Sequence, residues 1–246
     1  MRQDSFDGIF EEVERVLVVM PHPDDTELYC GGTIARLIAS GKDVICIKLT
    51  NGGKGTKQRQ LTETQLETVR KEEDRKSALA LGIKPDKNIQ LNIPDGEIED
   101  NLNSIEKLAF YYRKYRPDML ITCNPEDVFI RFDEGENWVN HRDHRATAKL
   151  AIDAAYPYSR DTAFFPNQLK DSSEYKPTKL FLLSDYYDHP DLVYIDITDH
   201  LETKSKAWQC HESAYTPDAV NDAIEFLNKD EDSGRYFETF RLVTAD

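Results

Sequence analysis

Short apolar, β-branched runs recur along the chain, and stretches of helical spacing separate them. Arg15–Met20 (RVLVVM), Asp43–Thr50 (DVICIKLT), Asn88–Ile93 and Asp118–Cys123 (DMLITC) read as strands, the first two buried on both faces. Thr33–Ser40 reads as a helix ending at Gly41, Leu61–Leu81 as a long helix ending at Gly82, and Asn101–Tyr115 as a third. Thr62 and Gln65 have capping-box spacing at the start of the long helix, and Glu67 faces Lys71 one turn on. An acidic loop over 124–140 leads to a helix from about His141 to Ala155. The 156–178 segment sets Pro157, Pro166 and Pro177 among Tyr156, Tyr158, Phe164, Phe165 and Tyr175, and reads as irregular. Strands near Lys179–Leu183 and Leu192–Asp196, helices near Asp199–Glu212 and Asp218–Asn228, and an extended piece near Tyr236–Leu242 complete the pattern.

Alternation of strands and helices predicts an α/β fold, a Rossmann-like, mostly parallel sheet with helices on both faces. We expect one domain over residues 1–246, with residues 1–14 as a polar lead-in of charge −4. Ligands of such sheets bind beyond the C-terminal ends of the strands. The loops placed there contain PHPDD, TNGGKG, IPDG, and the NPED segment that runs on to NHRDH.

Charge narrows the partners. The 246 residues carry 31 Lys and Arg against 46 Asp and Glu, a formal charge of −15. That argues against nucleic acid and against a polybasic membrane clamp, and favours a neutral small-molecule partner over a highly phosphorylated one. No run approaches the ~18 apolar residues of a membrane span, and the N-terminus has no signal-peptide pattern. Cys30, Cys46, Cys123 and Cys210 are far apart, as expected of reduced packing residues in a cytoplasmic protein.

The loop after the first strand has no glycine fingerprint for a dinucleotide or a P-loop. It holds Pro21-His22-Pro23-Asp24-Asp25 instead. Alone, this has a plainer alternative, a helix-capping Asp with a surface His. Asn140-His141-Arg142-Asp143-His144 is likewise a well-capped helix start, with Asn140 as N-cap and Asp143 completing the box. Its two histidines, three apart, share one helix face. Together the segments are more telling. His22, Asp25 and His144 are two imidazoles and a carboxylate, a set that leaves one position open on tetrahedral Zn²⁺ and also suits Fe²⁺. Asp24 is then free as a general base, and His141 as an electrophile or acid.

The pair PHPDD…HRDH resembles the signature of the PIG-L/LmbE-like family of zinc-dependent N-deacetylases. TNGGKG, Arg70-x-x-Glu73 with Leu81-Gly82, Pro94-Asp95-Gly96, Arg116-Pro117-Asp118 and Lys204-x-x-Ala207…His211-x-Ser213 extend the likeness over roughly residues 15–240. The resemblance implies an LmbE-like fold, with metal on His22, Asp25 and His144, Asp24 as base, and His141 at the oxyanion or leaving amine. It implies that Asp143 orients His141, and that Arg70 and Asp95 touch sugar hydroxyls. The plainer alternatives for those two are a helix-surface charge paired with Glu73 and a turn-forming Asp. Two positions depart from the pattern: Ala214 replaces the usual Gln after the His-x-Ser, and Val139 replaces a Tyr found in some relatives. His189 and His200 match nothing in the family and read as structural or solvent-facing.

The implied reaction is hydrolysis of an N-acetyl amide on an N-acetylglucosamine-type sugar conjugate, giving acetate and a free amine. Rivals are a metal-dependent deacylase of other acyl groups, a phosphoesterase, and a non-catalytic carbohydrate-binding protein. Loop 124–140, with Arg131 and Trp138 among Glu126, Asp127, Asp133, Glu134 and Glu136, and segment 156–178 are expected to shape selectivity. Arg131 or Arg142 would have to meet an anionic aglycone. The aromatic 156–178 segment is also the candidate contact in a homo-oligomer.

Overall fold

A computed structural model describes residues 2–55, 60–126, 128–131, 137–169, 178, 180–184 and 190–245, with Arg131 described in its backbone alone. His189, Tyr175, Pro177, Asp127, Asp133, Glu134, Glu136 and the Arg131 side chain lie outside the described residues. In chain order the elements are α1 (Phe6–Phe10), β1 (Arg15–Met20), α2 (Asp25–Ala39), β2 (Asp43–Thr50), α3 (Glu63–Leu81), β3 (Asn88–Ile93), α4 (Leu102–Tyr115) and β4 (Met119–Cys123). Then follow β5 (Phe129–Arg131), β6 (Asn137–Val139), α5 (Arg142–Asp153), β7 (Leu180–Ser184), β8 (Leu192–Asp196), α6 (Leu201–Trp208), α7 (Pro217–Asn228) and β9 (Phe237–Thr244).

Seven strands form one sheet in the order β3-β2-β1-β4-β7-β9-β8. The pairs β1–β2, β1–β4, β2–β3 and β4–β7 are parallel, and only β9 runs antiparallel to its neighbours β7 and β8. The mostly parallel sheet expected from the alternation is therefore present. Strand pleating sorts the core into two layers. Val16, Val18, Met20, Val44, Cys46 and Ile121 pack with α2, α3 and α6 residues such as Ile34, Leu81 and Ala207. Leu17, Val19, Ile45, Ile47 and Leu120 face the other way, onto Leu108 and Tyr112 of α4 and Leu150 of α5. The chain moves from β1 outward to β2 and β3, then returns to place β4 on the far side of β1. The switch point, where such sheets open a crevice, lies between β1 and β4.

Several local features differ from the sequence reading. The lead-in is anchored, because Phe6 and Phe10 of α1 and Val13 are buried in the core. Helix α2 begins at Asp25 rather than Thr33 and breaks its helical geometry at Cys30 (φ −146°, ψ 18°). Beyond that break Glu238 accepts from the Gly32 and Thr33 amides at 2.9 and 2.7 Å. The side chain thus supplies what a preceding turn of helix would have supplied, and the sequence pattern registered the second half alone. A Cβ on Gly32 would lie 2.6 Å from Ile197, so only glycine lets this helix approach β8's end. Loop 124–140 contains the β5–β6 hairpin. In the irregular segment one guanidinium, that of Arg113, donates to the carbonyls of Tyr158, Ser159, Asp161, Phe164 and Phe165. The capping box at Thr62 and the left-handed Gly82 (φ 86°) stand as expected.

Candidate active site

The site lies at the β1/β4 switch point. The β1 strand ends at Met20, and the loop behind it is tied to β2 by the Thr50 amide and hydroxyl, which donate to the Pro21 carbonyl at 2.8 and 2.9 Å. The loop then enters α2 through Asp24, which has a left-handed backbone (φ 128°). A non-glycine residue held there carries strain of order 1–3 kcal/mol, and such strain concentrates at functional sites.

Asp25 joins the two motifs. One of its oxygens accepts from the His22 amide at 2.9 Å and lies 2.9 Å from His22 Nδ1. The other is 3.3 Å from His144 Nε2. Donor atoms on a tetrahedral ion at zinc-like bond lengths of about 2.0–2.1 Å stand roughly 3.3 Å apart, and each histidine lies at about such a distance from one Asp25 oxygen. The remaining ring nitrogens have fixed partners. His22 Nε2 sits 3.3 Å from both Asp95 Oδ1 and Asp143 Oδ2, and donates to them. His144 Nδ1 is 3.0 Å from the Tyr29 hydroxyl. With a metal bound, His22 Nδ1 and His144 Nε2 would be the nitrogens that face it, the other nitrogen of each ring being held from behind. Electrostatics agree. Burial would lower the His22 imidazole, but Asp25, Asp143 and Asp95 push it up to about 12. Burial acts on Asp25 in the opposite sense, yet His144 and His22 hold its carboxyl far below the usual range. Carboxylates crowded around one ring call for a cation.

Nitrogens of His22, His141 and His144 also lie within 4.8 Å of one another, and so do donor atoms of His22, Asp95 and Asp143. Tautomers and partners separate these groupings from the Asp25-centred one. His141 is the N-cap of α5, and its Nδ1 accepts from the Asp143 amide at 3.1 Å. With that lone pair engaged, neutral His141 carries its proton on Nε2 and cannot give that nitrogen to a metal. Burial, His22 and His144 all lower its pKa, which keeps the ring neutral. The exposed His141 is therefore a hydrogen-bond donor at the mouth of the site.

Asp24 is buried beside this cluster. Its carboxylate accepts from Arg70 Nη2 at 3.3 Å. Desolvation, offset by Arg70 and reinforced by Asp25, pushes it up to about 6. A carboxylate poised there suits a general base.

Four expectations need correction. His141, not Asn140, caps α5. Asp143 does not orient His141 through its carboxylate; that group holds His22 Nε2 and accepts from the Gly96 amide at 2.8 Å. The two residues meet instead through the Asp143 backbone. Arg70 is not a surface partner of Glu73. It is buried on Asp24, whereas Glu73 accepts from the Ser213 amide and hydroxyl. Asp95 is more than a turn former, since its carboxylate accepts from the Lys54 amide and pairs with His22. The TNGGKG turn covers Arg70, and a Cβ on Gly52 (φ 68°) would come within 2.8 Å of its Nη1. Of the positively charged residues expected near an anionic aglycone, Arg142 donates to the Gly96 carbonyl.

Sequence reasoning missed Tyr29, Glu27 and Tyr215. Tyr29 lies four residues after Asp25 on one helix, a spacing that places both on the same face. Glu27 is fully buried against His211 and Ser77. Tyr215 lies close enough to Asp24 for that carboxylate, together with burial, to raise the phenol's pKa.

A fold of this kind and a metal-ready cluster beside a buried carboxylate define a hydrolase of the LmbE type. The family profile described as PIG-L, GlcNAc-PI de-N-acetylase, matches residues 17–155. The chain belongs to this family, a class of N-deacetylases. It is 31% identical over 211 residues to a diacetylchitobiose deacetylase of Thermococcus kodakarensis, covering 85% of this chain and 73% of that one. The structure of N,N'-diacetylchitobiose deacetylase from Pyrococcus horikoshii in complex with an inhibitor superposes with a TM-score of 0.80 at 30% identity, over 96% of this chain and 85% of that chain. A probable N-acetyl-α-D-glucosaminyl L-malate deacetylase of Bacillus cereus is 30% identical over 142 residues, 56% of this chain and 60% of that protein.

Proposed function

We propose that this protein removes the N-acetyl group from an N-acetylglucosamine unit of a small, uncharged chitobiose-type sugar, using a divalent metal, by preference zinc, held by His22, Asp25 and His144. The observation that carries this reading is that Asp25, beside buried Asp24, reaches His22 with one carboxylate oxygen and His144 with the other. Likeness to two diacetylchitobiose deacetylases supports the substrate class, and the charge of −15 favours a neutral sugar over an anionic one. When bound, the metal supplies Lewis acidity, polarising the acetyl carbonyl and acidifying water. Asp24 takes the proton from the attacking water, a role worth typically ~10²–10⁴-fold. His141 donates from Nε2 to the carbonyl oxygen as it gains charge. The proton held on Asp24 then passes to the departing amine, leaving acetate and a free amino sugar. Arg70 and Asp95, placed around Asp24 and His22, are the residues we assign to the sugar-facing wall.

The test measures acetate release from N,N'-diacetylchitobiose and from N-acetylglucosaminyl malate, before and after chelation. Turnover of the disaccharide that chelator abolishes and added zinc restores is expected. Full turnover by metal-free protein, or a preference for the malate conjugate, overturns the reading.

A further inference from the structure

A chitobiose-type substrate has two rings, and the reaction above uses one of them. The acetamide must reach the metal ligands, so the second ring lies outside the cluster, on the surface around its mouth. The β5–β6 hairpin supplies such a surface. Among the described residues ten large hydrophobic side chains are exposed, and five of them, Val128, Phe129, Trp138, Val139 and Phe226, lie in this hairpin, at its entry, or on α7 beside it. Apolar side chains gathered in this way mark a ligand or partner site.

Strand alternation sorts the hairpin into two sides. Ile130 and Trp138 are cross-strand partners. Both lean on the body of the protein: Ile130 packs against the cluster of Trp208, Val220, Ile224 and Leu227, and Trp138 stacks on Phe226 of α7 with ring centroids 6.1 Å apart. Phe129 and Val139 are the next pair in register, on the opposite side. They are 55% and 73% exposed, and cross-strand partners hold their Cβ atoms about 5 Å apart.

This outward pair is joined to the active site through one residue. The Asn140 amide donates to the Val128 carbonyl at 2.8 Å, which extends the ladder one step past Val139. Asn140 is buried, and its side-chain amide donates to the Asn124 carbonyl. His141 follows, exposed at the mouth and with an extended backbone (φ −56°, ψ 140°). Residues 139 and 141 therefore share one side of the chain, opposite 138 and 140. Two peptide units set their Cα atoms at most about 7 Å apart.

We propose that Phe129 and Val139 form the platform for the second sugar ring, whose C–H face lies on the phenyl and isopropyl groups while the acetylated ring reaches His141 and the metal ligands. This rests on the reading of the protein as a deacetylase of chitobiose-type sugars. A pyranose ring presents C–H groups on its faces and hydroxyls around its rim. An apolar surface open at its edges covers the faces and leaves the rim in water, so no hydroxyl is desolvated without a partner. Hydrocarbon offers no such match to a carboxylate, which is held by charge and donors. The pair thus selects a second uncharged sugar over an anionic aglycone.

The test is steady-state kinetics on N,N'-diacetylchitobiose and on N-acetylglucosamine, which lacks the second ring. The parent, Phe129→Ala, Phe129→Tyr and Val139→Ser are compared, with melting temperature and oligomeric state measured for each. Phe129→Ala should raise KM for the disaccharide about tenfold and lower kcat far less, because the contact is made equally in the ground and transition states. Its loss in kcat/KM on the monosaccharide should be roughly threefold smaller or less still. Phe129→Tyr keeps the ring and should hold KM within about twofold of the parent, and Val139→Ser should raise it about threefold. An unchanged KM in Phe129→Ala, equal losses on the two sugars, or a rise in KM that tracks melting temperature overturns the proposal. So does a rise in KM that comes with a change of oligomeric state, which would mark the pair as a contact between copies. If the parent deacetylates neither sugar, the proposed function falls, and this inference with it. If the parent turns over the disaccharide and Phe129→Ala does so with the parent's KM, the inference alone falls.

Discussion

Both faces of the central sheet bury hydrocarbon, but they differ in what else they bury. The face covered by α4 and α5 is lined by Leu17, Ile47, Leu108, Tyr112 and Leu150, with Arg113 of α4 buried on loop carbonyls. The face under α2, α3 and α6 interleaves its hydrocarbon with charge. Lys48 sits on Asp74, Lys204 on Glu238, and Glu27 on His211, all deep in the structure. The contrast separates stability from chemistry. The aliphatic face stabilises the fold through area removed from water. Buried charge adds little net stability, and on the other face one of these groups, Glu238, backs the kink in α2.

Three substitutions or titrations probe that contrast. Lys204→Met should have the largest effect, because it leaves Glu238 buried and without its 2.6 Å partner, while the Gly32 and Thr33 amides still depend on it. Breaking such a pair costs about 3–5 kcal/mol. An unfolding free energy from denaturant titration within about 1 kcal/mol of the parent would mean the buried charges are not the structural risk described. Leu108→Ala, on the apolar face, should cost somewhat less, within the ~2–5 kcal/mol of a core truncation, and should leave kcat per folded molecule unchanged. A fall in kcat there would erase the division of labour. The smallest effect is a titration. Asp24 must be ionised to accept a proton, and its pKa lies near 6. As pH falls through that value, kcat/KM should drop about tenfold per unit, or ~1.4 kcal/mol. A profile flat down to pH 4 would show that Asp24 does not carry the proton.

Strand limits were legible because β-branched runs bounded by turn residues admit few alternatives. Arg15–Met20, Asp43–Thr50, Asn88–Ile93 and Leu192–Asp196 appear with those bounds. The early part of α2 was not legible, since Gly31-Gly32 reads as a break and nothing nearby in the chain reveals that Glu238 satisfies the freed amides. Site residues show the same division. His22, Asp24, Asp25, His141 and His144 could be listed from two short motifs. Asp143, Arg70 and Asp95 could be listed as well, but not what they hold: Asp143 and Asp95 stand behind His22, Arg70 on Asp24 and Tyr29 behind His144 only through contacts between residues far apart in the chain.

The sequence by itself therefore determined the order of the sheet strands and the main helices, though not α1 or the β5–β6 pair, together with the mostly parallel α/β class and the chemical types gathered at the β1 and α5 ends. Those follow from short-range physics, namely side-chain periodicity, capping and donor chemistry. Tertiary structure alone decided which nitrogen of each histidine is free, which carboxylate stands behind it, and that Asp24 is dry enough to be raised toward 6. Those depend on burial and on contacts between residues such as His22 and Asp143, 121 positions apart, which meet only once the sheet has closed.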